Sequence, residues 1–351
     1  MSFDLAPLFK SAVMKPVAAV ALVGPPSTND NLAPFAVYVT LWVGLIPVSL
    51  LLGPVWRVVN PLRTLHAGLA RITGPAPAAD RLPALGYWPA AAALLAFLWL
   101  ELVLPGRAEP RTVGVFLVLY GVVQLVAGLW FGSGWYARGD AFEVYSTLLG
   151  RLSPLGRRED GRLVVRSPLD GADGLRVEPG LVAVVVVLVG STAFDGLSRT
   201  QYWIEGPGRD SYLDAVPGTV GLGVMIAVVA GLYVGATVLA GVITRDRPWA
   251  QPGLFAHSLV PIAAGYAIAH YFSLLVYDGQ ATWILASNPF ARDGVDVFGT
   301  YDRAIDFTVV SARTIANVQV GAIVLGHVLG VVLAHDRAVR ISPERATRGQ
   351  L

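Results

Sequence analysis

The sequence predicts an all-α, polytopic transmembrane helix bundle of about seven spans, running N-out/C-in, and three observations carry that prediction. Hydrophobic residues make up 54% of the chain and charged residues only 14%, with a mean hydropathy of +0.59. A soluble domain carries nearer a quarter of charged residues. Apolar runs long enough to cross a bilayer, about 20 residues each, recur along the chain. The arginines gather in alternate connections between those runs.

The spans are placed at about 33–53, 88–104, 111–132, 180–197, 218–243, 254–277 and 306–334. The intervening segments 54–87, 133–179 and 244–253 and the tail after 334 hold four, seven, two and four arginines. The segments 1–32, 105–111, 198–217 and 278–305 hold two Lys or Arg each. Basic residues mark the cytoplasmic side, so residues 1–32 form an extracytoplasmic segment, 33–334 the bundle and 335–351 a cytoplasmic tail. A multi-pass protein of the inner (plasma) membrane is expected. The apolar run 17–23 follows Lys10 and Lys15 and reads as an interfacial segment, because it is short and lacks a good cleavage motif for a signal peptide.

Between the third and fourth spans, "FEVYSTLLGRL" spaces Phe142, Tyr145, Leu148, Leu149 and Leu152 at helical intervals. That pattern predicts a short amphipathic helix on the inner leaflet. The stretch "GRLVVRSPLDGADGLRVEPG" then shows two short β-like runs around an Asp/Gly turn, which predicts a small cytoplasmic hairpin. In the fifth span Ala227, Gly231 and Gly235 form a small-residue stripe suited to close helix packing.

The net charge of +2 does not favour a nucleic-acid partner. The absence of cysteine excludes disulfides, thiolate metal sites and cysteine nucleophiles. The expected partners are the lipid bilayer and a small molecule.

Chemistry is sought among polar residues inside the spans, where ionisable groups are costly and face the bundle interior. By depth they fall into an outer layer of Glu101, Ser191, Asp195, His270, Asp306, Arg313 and Asn317, and an inner layer of His257, His327 and His335. His257 and His270 share one span but stand 13 residues apart, about 20 Å along a helix, too far to hold one metal ion. Asp306, Arg313 and Asn317 follow i, i+7, i+11 on one face. His66 reads as an ordinary loop residue. A carboxylate–histidine set can hold a divalent ion such as zinc and activate water. Equally, an Asp195–Arg313 pair can be a gate, a proton relay or a packing device.

The run 281–286 in the long outer connection is too short to cross and is expected to dip back as a lid. Asp293 and Asp296 there lack the full pattern of a calcium loop. No H-E-x-x-H, phosphate-binding loop or G-x-S-x-G is present.

Several stretches together carry a resemblance: "NLAPFAVYVTLWVGLIPVSLLLGPVWRVVNP", "FDGLS", "HSLVPIAAGYAIAHYFSLL", "GQ", "DVFGT", "AID" and "GHVLGVVLAHDRA". From about Asn31 to Ala338 the chain resembles bacterial membrane proteins of the fenitrothion hydrolase-like family. The resemblance implies hydrolysis of an organophosphate triester by a membrane-bound enzyme. It also implies Asp where Asn288 stands, and a further hydrophobic span soon after "RATRGQL". On this reading Asp195 and His270 are metal ligands, and Glu101 or Asp306 is a further ligand or base. Arg313 stabilises charge developing on the phosphoryl oxygen, and His257 and His327 form a weaker inner ligand pair. The alternatives are a proton- or metal-coupled transporter using the same residues, and a non-catalytic membrane scaffold.

Overall fold

The computed structural model describes residues 17–157, 162–209 and 213–341. It is an α-helical bundle with one small hairpin. Six helical stretches are long and apolar enough to cross a membrane, and a seventh forms if a bent pair counts as one span. These are α2 (Leu32–Leu52), α5 (Pro110–Phe131), α8 (Leu181–Ser198), α9 (Ala215–Thr244), α10 (Leu259–Ala286, continued N-terminally by short turns from Pro248) and α11 (Ala312–Ile341). The bent pair joins Ala79–Leu85 to α4 (Trp88–Leu102) at 68°. The chain is therefore a multi-pass membrane protein, and each predicted span has its counterpart.

Besides a few short helical turns, the other elements are α1 (17–23), α3 (Pro61–Thr73), α6 (Ala141–Gly150), the hairpin β1 (Leu155–Arg157) and β2 (Leu163–Val165), and α7 (Pro168–Asp173). Helix α1 buries Val20 and Ala21. Asn31 ties it to α2: its side-chain nitrogen donates to Val20 O at 2.9 Å, and its oxygen accepts from Ala33 N at 2.9 Å, which caps the incoming helix. Residues 1–16 and 342–351 lie outside the described residues, and with them Lys10, Lys15 and most of the predicted tail.

The core is aromatic. Trp42 of α2 stacks on Tyr145 of α6 with ring centres 4.5 Å apart, and Phe97 of α4 meets Trp42 and Phe142 edge-on at 5.0 Å each. Such offset and edge contacts suit the aromatic quadrupole.

Helix α6 departs from the expected surface helix. Asp140 starts it, accepting from the Phe142 and Glu143 amides, but nearly every residue of the helix is buried. Its polar residues face the interior. Glu143 takes two hydrogen bonds from Arg63 at 2.6 Å. Asp140 accepts from Asn60 at 2.7 Å, Trp56 at 3.3 Å and Tyr120 at 2.8 Å. Ser146 pairs with Ser49 at 2.8 Å. A polar stripe that would meet water on a surface helix is here satisfied by protein, as a buried polar group requires.

The hairpin also shifts by one strand. β2 pairs antiparallel with β1, Gly156 facing Val164. The Asp/Gly stretch expected as its turn is instead α7. Ser167 accepts from the Leu169 amide and Pro168 opens the first turn, a local helix start.

The small-residue seam likewise lies elsewhere. A Cβ on Gly265 of α10 would stand 2.4 Å from the Ala322 carbonyl oxygen of α11, and one on Gly326 would stand 2.7 Å from Pro261 O. These two glycines let α10 and α11 touch backbone to backbone. A Cβ on Gly231 or Gly235 would meet nothing within 4 Å, so that stripe faces outward.

Candidate functional site: the outer carboxylate–histidine cluster

Helix α8 packs against both α4 and α10. Asp195 lies one turn before the end of α8 and His270 midway along α10. Gly196 keeps the two helices close: a Cβ there would stand 2.9 Å from the Tyr266 hydroxyl of α10. Across this contact His270 Nε2 and Asp195 Oδ2 are 2.5 Å apart. The Tyr271 hydroxyl donates to the same carboxylate oxygen at 3.3 Å, and Arg199 Nε donates to Asp195 Oδ1 at 3.1 Å. Asp195 is thus buried but met on both oxygens.

Glu101, at the end of α4, interacts with both Asp195 and Tyr271. Its Oε2 is closed off from solvent and has no hydrogen-bond partner among the described residues, and the same holds for the Trp42 indole nitrogen. Tyr271 borders Trp42 as well. Beside the Asp195–His270 pair, therefore, two buried polar atoms remain unsatisfied among the described residues.

In front of the pair lies a cavity of about 260 Å³, lined by Arg199, His270, Tyr271, Ser273, Tyr277, Asp278 and apolar neighbours. Its rim is held by the outer loop. Gln280 donates to Asp306 O and accepts from Asp306 N, both at 3.0 Å, and the Tyr277 hydroxyl donates to Val310 O at 2.9 Å. The "GQ" and "AID" stretches noted in the sequence meet at this clamp. The sequence places Gln280 in the connection after the sixth span, and an uncharged amide carries no signal there that marks it as a rim residue.

Four expected site residues fall elsewhere. Asp306 is not in a span, because α11 begins only at Ala312, where Ser311 Oγ accepts from the Thr314 amide at 3.1 Å. Asp306 is exposed and bonds locally to the Thr308 amide and hydroxyl. Arg313 is exposed, as is Asn317, so the partner of Asp195 is Arg199, one turn along the same chain. His327 is exposed and satisfied within its own helix, its Nδ1 2.8 Å from Ile323 O.

His257 is buried, but its neighbours are Leu254 O at 3.1 Å and Asp173 at 4.0 Å. Asp173 in turn pairs with Arg337 at 3.1 Å and with Arg340. The inner layer is therefore a clip between α7 and α11, not a histidine pair. His335 is exposed beside Asp336. His66, read as a loop residue, is buried with Nε2 3.0 Å from Gly128 O.

The outer loop carries no lid. Residues 281–286 continue α10. Asp296 accepts from Ser287 Oγ and from the Thr300 and Tyr301 amides, so it braces the loop. Asn288 accepts from Arg292 N and donates to Arg292 O, a role that uses its amide.

The donor set fits a metal ion poorly. The nearest His and Asp atoms are spent on each other. No three His, Asp or Glu side chains among the described residues gather around one point. Compared with family models, curated proteins and solved structures, the chain matches none.

Proposed function

We propose that the chain is a hydrolase of the plasma membrane, oriented N-out/C-in, whose reacting centre is the outer cavity at His270. One observation carries this reading: the imidazole that lines the cavity is held at 2.5 Å by a buried carboxylate. With the Nε2 proton donated to Asp195, Nδ1 is the nitrogen left to accept a proton, the same division of labour as in other carboxylate-oriented histidines. A general base works by positioned proton transfer, which contributes typically about 10²–10⁴-fold.

The sequence resemblance supplies the substrate class, small neutral phosphotriesters. Water in the cavity would give its proton to His270 as its oxygen bonds to phosphorus. The aryloxide leaves with the electron pair of the broken P–O bond. Arg199 stands on the cavity wall as the cation nearest the developing negative charge. Asp195 orients and stabilises the imidazolium. No step is routed through a metal.

The test is turnover of a 4-nitrophenyl phosphotriester by the purified protein, compared with His270→Gln. Loss of turnover in a folded variant supports the reading. Unchanged turnover removes it.

A second reading is favoured by the closed-off Glu101 oxygen. Glu101, Tyr271, Asp195 and His270 form a continuous polar series from the core to the cavity, the kind of arrangement used for intramembrane proton transfer. Proton flux in proteoliposomes that disappears in Glu101→Gln, with no ester turnover, would select this transporter reading instead.

A further inference from the structure

A second cavity, of about 310 Å³, lies at the opposite end of the bundle, between the inner end of α2, helix α6 and the hairpin. Four arginines line it: Arg57, Arg151, Arg157 and Arg166. No acidic side chain among the described residues does so. Its shape is fixed by buried contacts. Ser153 Oγ donates to Leu51 O at 2.9 Å, and a Cβ on Gly150 would stand 2.7 Å from Pro54 N.

The hydrogen bonds of Arg151 and Arg166 in this cavity go to backbone carbonyls. Arg166 Nη2 donates to Gly150 O at 3.0 Å and to Arg151 O at 3.4 Å, and its Nε donates to Ser153 O at 3.4 Å. Arg151 reaches Gly174 O at 3.5 Å. Burial, and then the charge of Arg151, hold the Arg166 guanidinium below its ordinary value. Arg57 is exposed and makes no hydrogen bond or ion pair with a described residue. A ligand with a dense negative charge would relieve this crowding, and planar guanidinium groups suit phosphate oxygens.

The rim is apolar. Leu52, Val58, Leu163 and Val165 are all more than half exposed. Leu163 and Val165 alternate on β2 and so share one face. A free phosphate ion leaves that surface bare, whereas acyl chains cover it. This end of the bundle is also the end that the arginine distribution assigns to the cytoplasm, where basic clusters recruit anionic lipid.

We propose that this cavity binds the phosphate headgroup of an anionic phospholipid, with the acyl chains lying along Leu52, Val58 and the hairpin. The site is separate from the His270 cavity and stands whether or not that reading holds.

The test is native mass spectrometry of the full chain released from detergent with added phosphatidylglycerol or phosphatidylcholine. Phosphatidylglycerol should be retained in preference to phosphatidylcholine. Arg57→Gln should lower its retention about fivefold, one surface arginine's share, and Arg57→Lys much less. Both variants should unfold at the wild-type temperature, since Arg57 makes no hydrogen bond or ion pair with a described residue. Millimolar inorganic phosphate should displace little of the lipid. Equal retention of the two lipids would overturn the proposal. So would phosphatidylglycerol retention unchanged in both Arg57→Gln and Arg151→Gln, or full displacement by inorganic phosphate, which would make the ligand a soluble ion.

Discussion

His270 on α10 and Asp195 on α8, 75 residues apart in sequence, meet at 2.5 Å where the outer cavity begins. The carboxylate is buried and the imidazole lines the opening. In the proposed reaction the group that exchanges protons faces the cavity, and the group that fixes it is shielded.

Asp195→Asn should keep the shape of the pair but remove its charge. The imidazole then loses the acceptor that fixes its tautomer and the anion that stabilises its protonated form. Phosphotriester turnover is expected to fall about 10²–10⁴-fold. Steady-state assays in lipid nanodiscs check this; a fall below threefold would separate Asp195 from the chemistry.

Arg313→Ala and Asp306→Asn should be nearly silent. Neither side chain lines the cavity and both are exposed; Asp306 holds the rim through its backbone, which Asn keeps, and surface changes of this kind usually stay within about 0.5 kcal/mol. Arg199→Ala should slow turnover by contrast, because Arg199 both touches Asp195 and lines the cavity. Reversed effects of the two arginine variants would mean that α11 packs differently.

Glu143→Ala should destabilise the fold by about 3–5 kcal/mol, the range seen when one partner of a buried ion pair is removed. It leaves the Arg63 guanidinium, three-quarters buried, without its carboxylate. Equilibrium unfolding in detergent reads the loss. Turnover per folded molecule should be unchanged, since Glu143 is remote from the outer cavity.

The inner clip should respond to pH in only one direction. Burial pushes the Asp173 carboxyl up, but its hydrogen bonds with Arg340 and Arg337 outweigh that and hold it below the usual carboxylate range. A lowered folded-state value means that the clip's contribution is complete above the unfolded value, about 3.9, and is lost as pH falls through the folded one. Hydrogen-exchange protection at the inner end of α11 should therefore be flat from pH 5 to 8 and collapse only in stronger acid. Asp173→Asn should reduce that protection at neutral pH. Loss of protection between pH 6 and 7 would point to His257 as the titrating group instead.

The spans are legible because hydropathy reports length and polarity directly, and the shared outer layer of Asp195 and His270 because a charge in lipid needs a partner at its own depth; their direct pairing is not. Depth follows from topology; the angular order of the helices does not. That is why Arg313 was placed beside Asp195 while α11 lies at the periphery and Arg199 does the work from the next turn. The start of α11 did carry a signal, Ser311 followed three residues later by Thr314, but it sits inside a hydrophobic run that masks it. Helix α6 looked amphipathic by period. Only the fold brings Arg63, Asn60 and Ser49 to its polar stripe.

The most direct test of the outer site is phosphotriester turnover by the purified full chain in nanodiscs, wild type against His270→Gln, each with and without a metal chelator. The account predicts turnover by wild type, insensitivity to the chelator and a loss of at least about 100-fold in a variant that unfolds at the wild-type temperature. A wild-type protein with no turnover, or a variant as active as wild type, would contradict it.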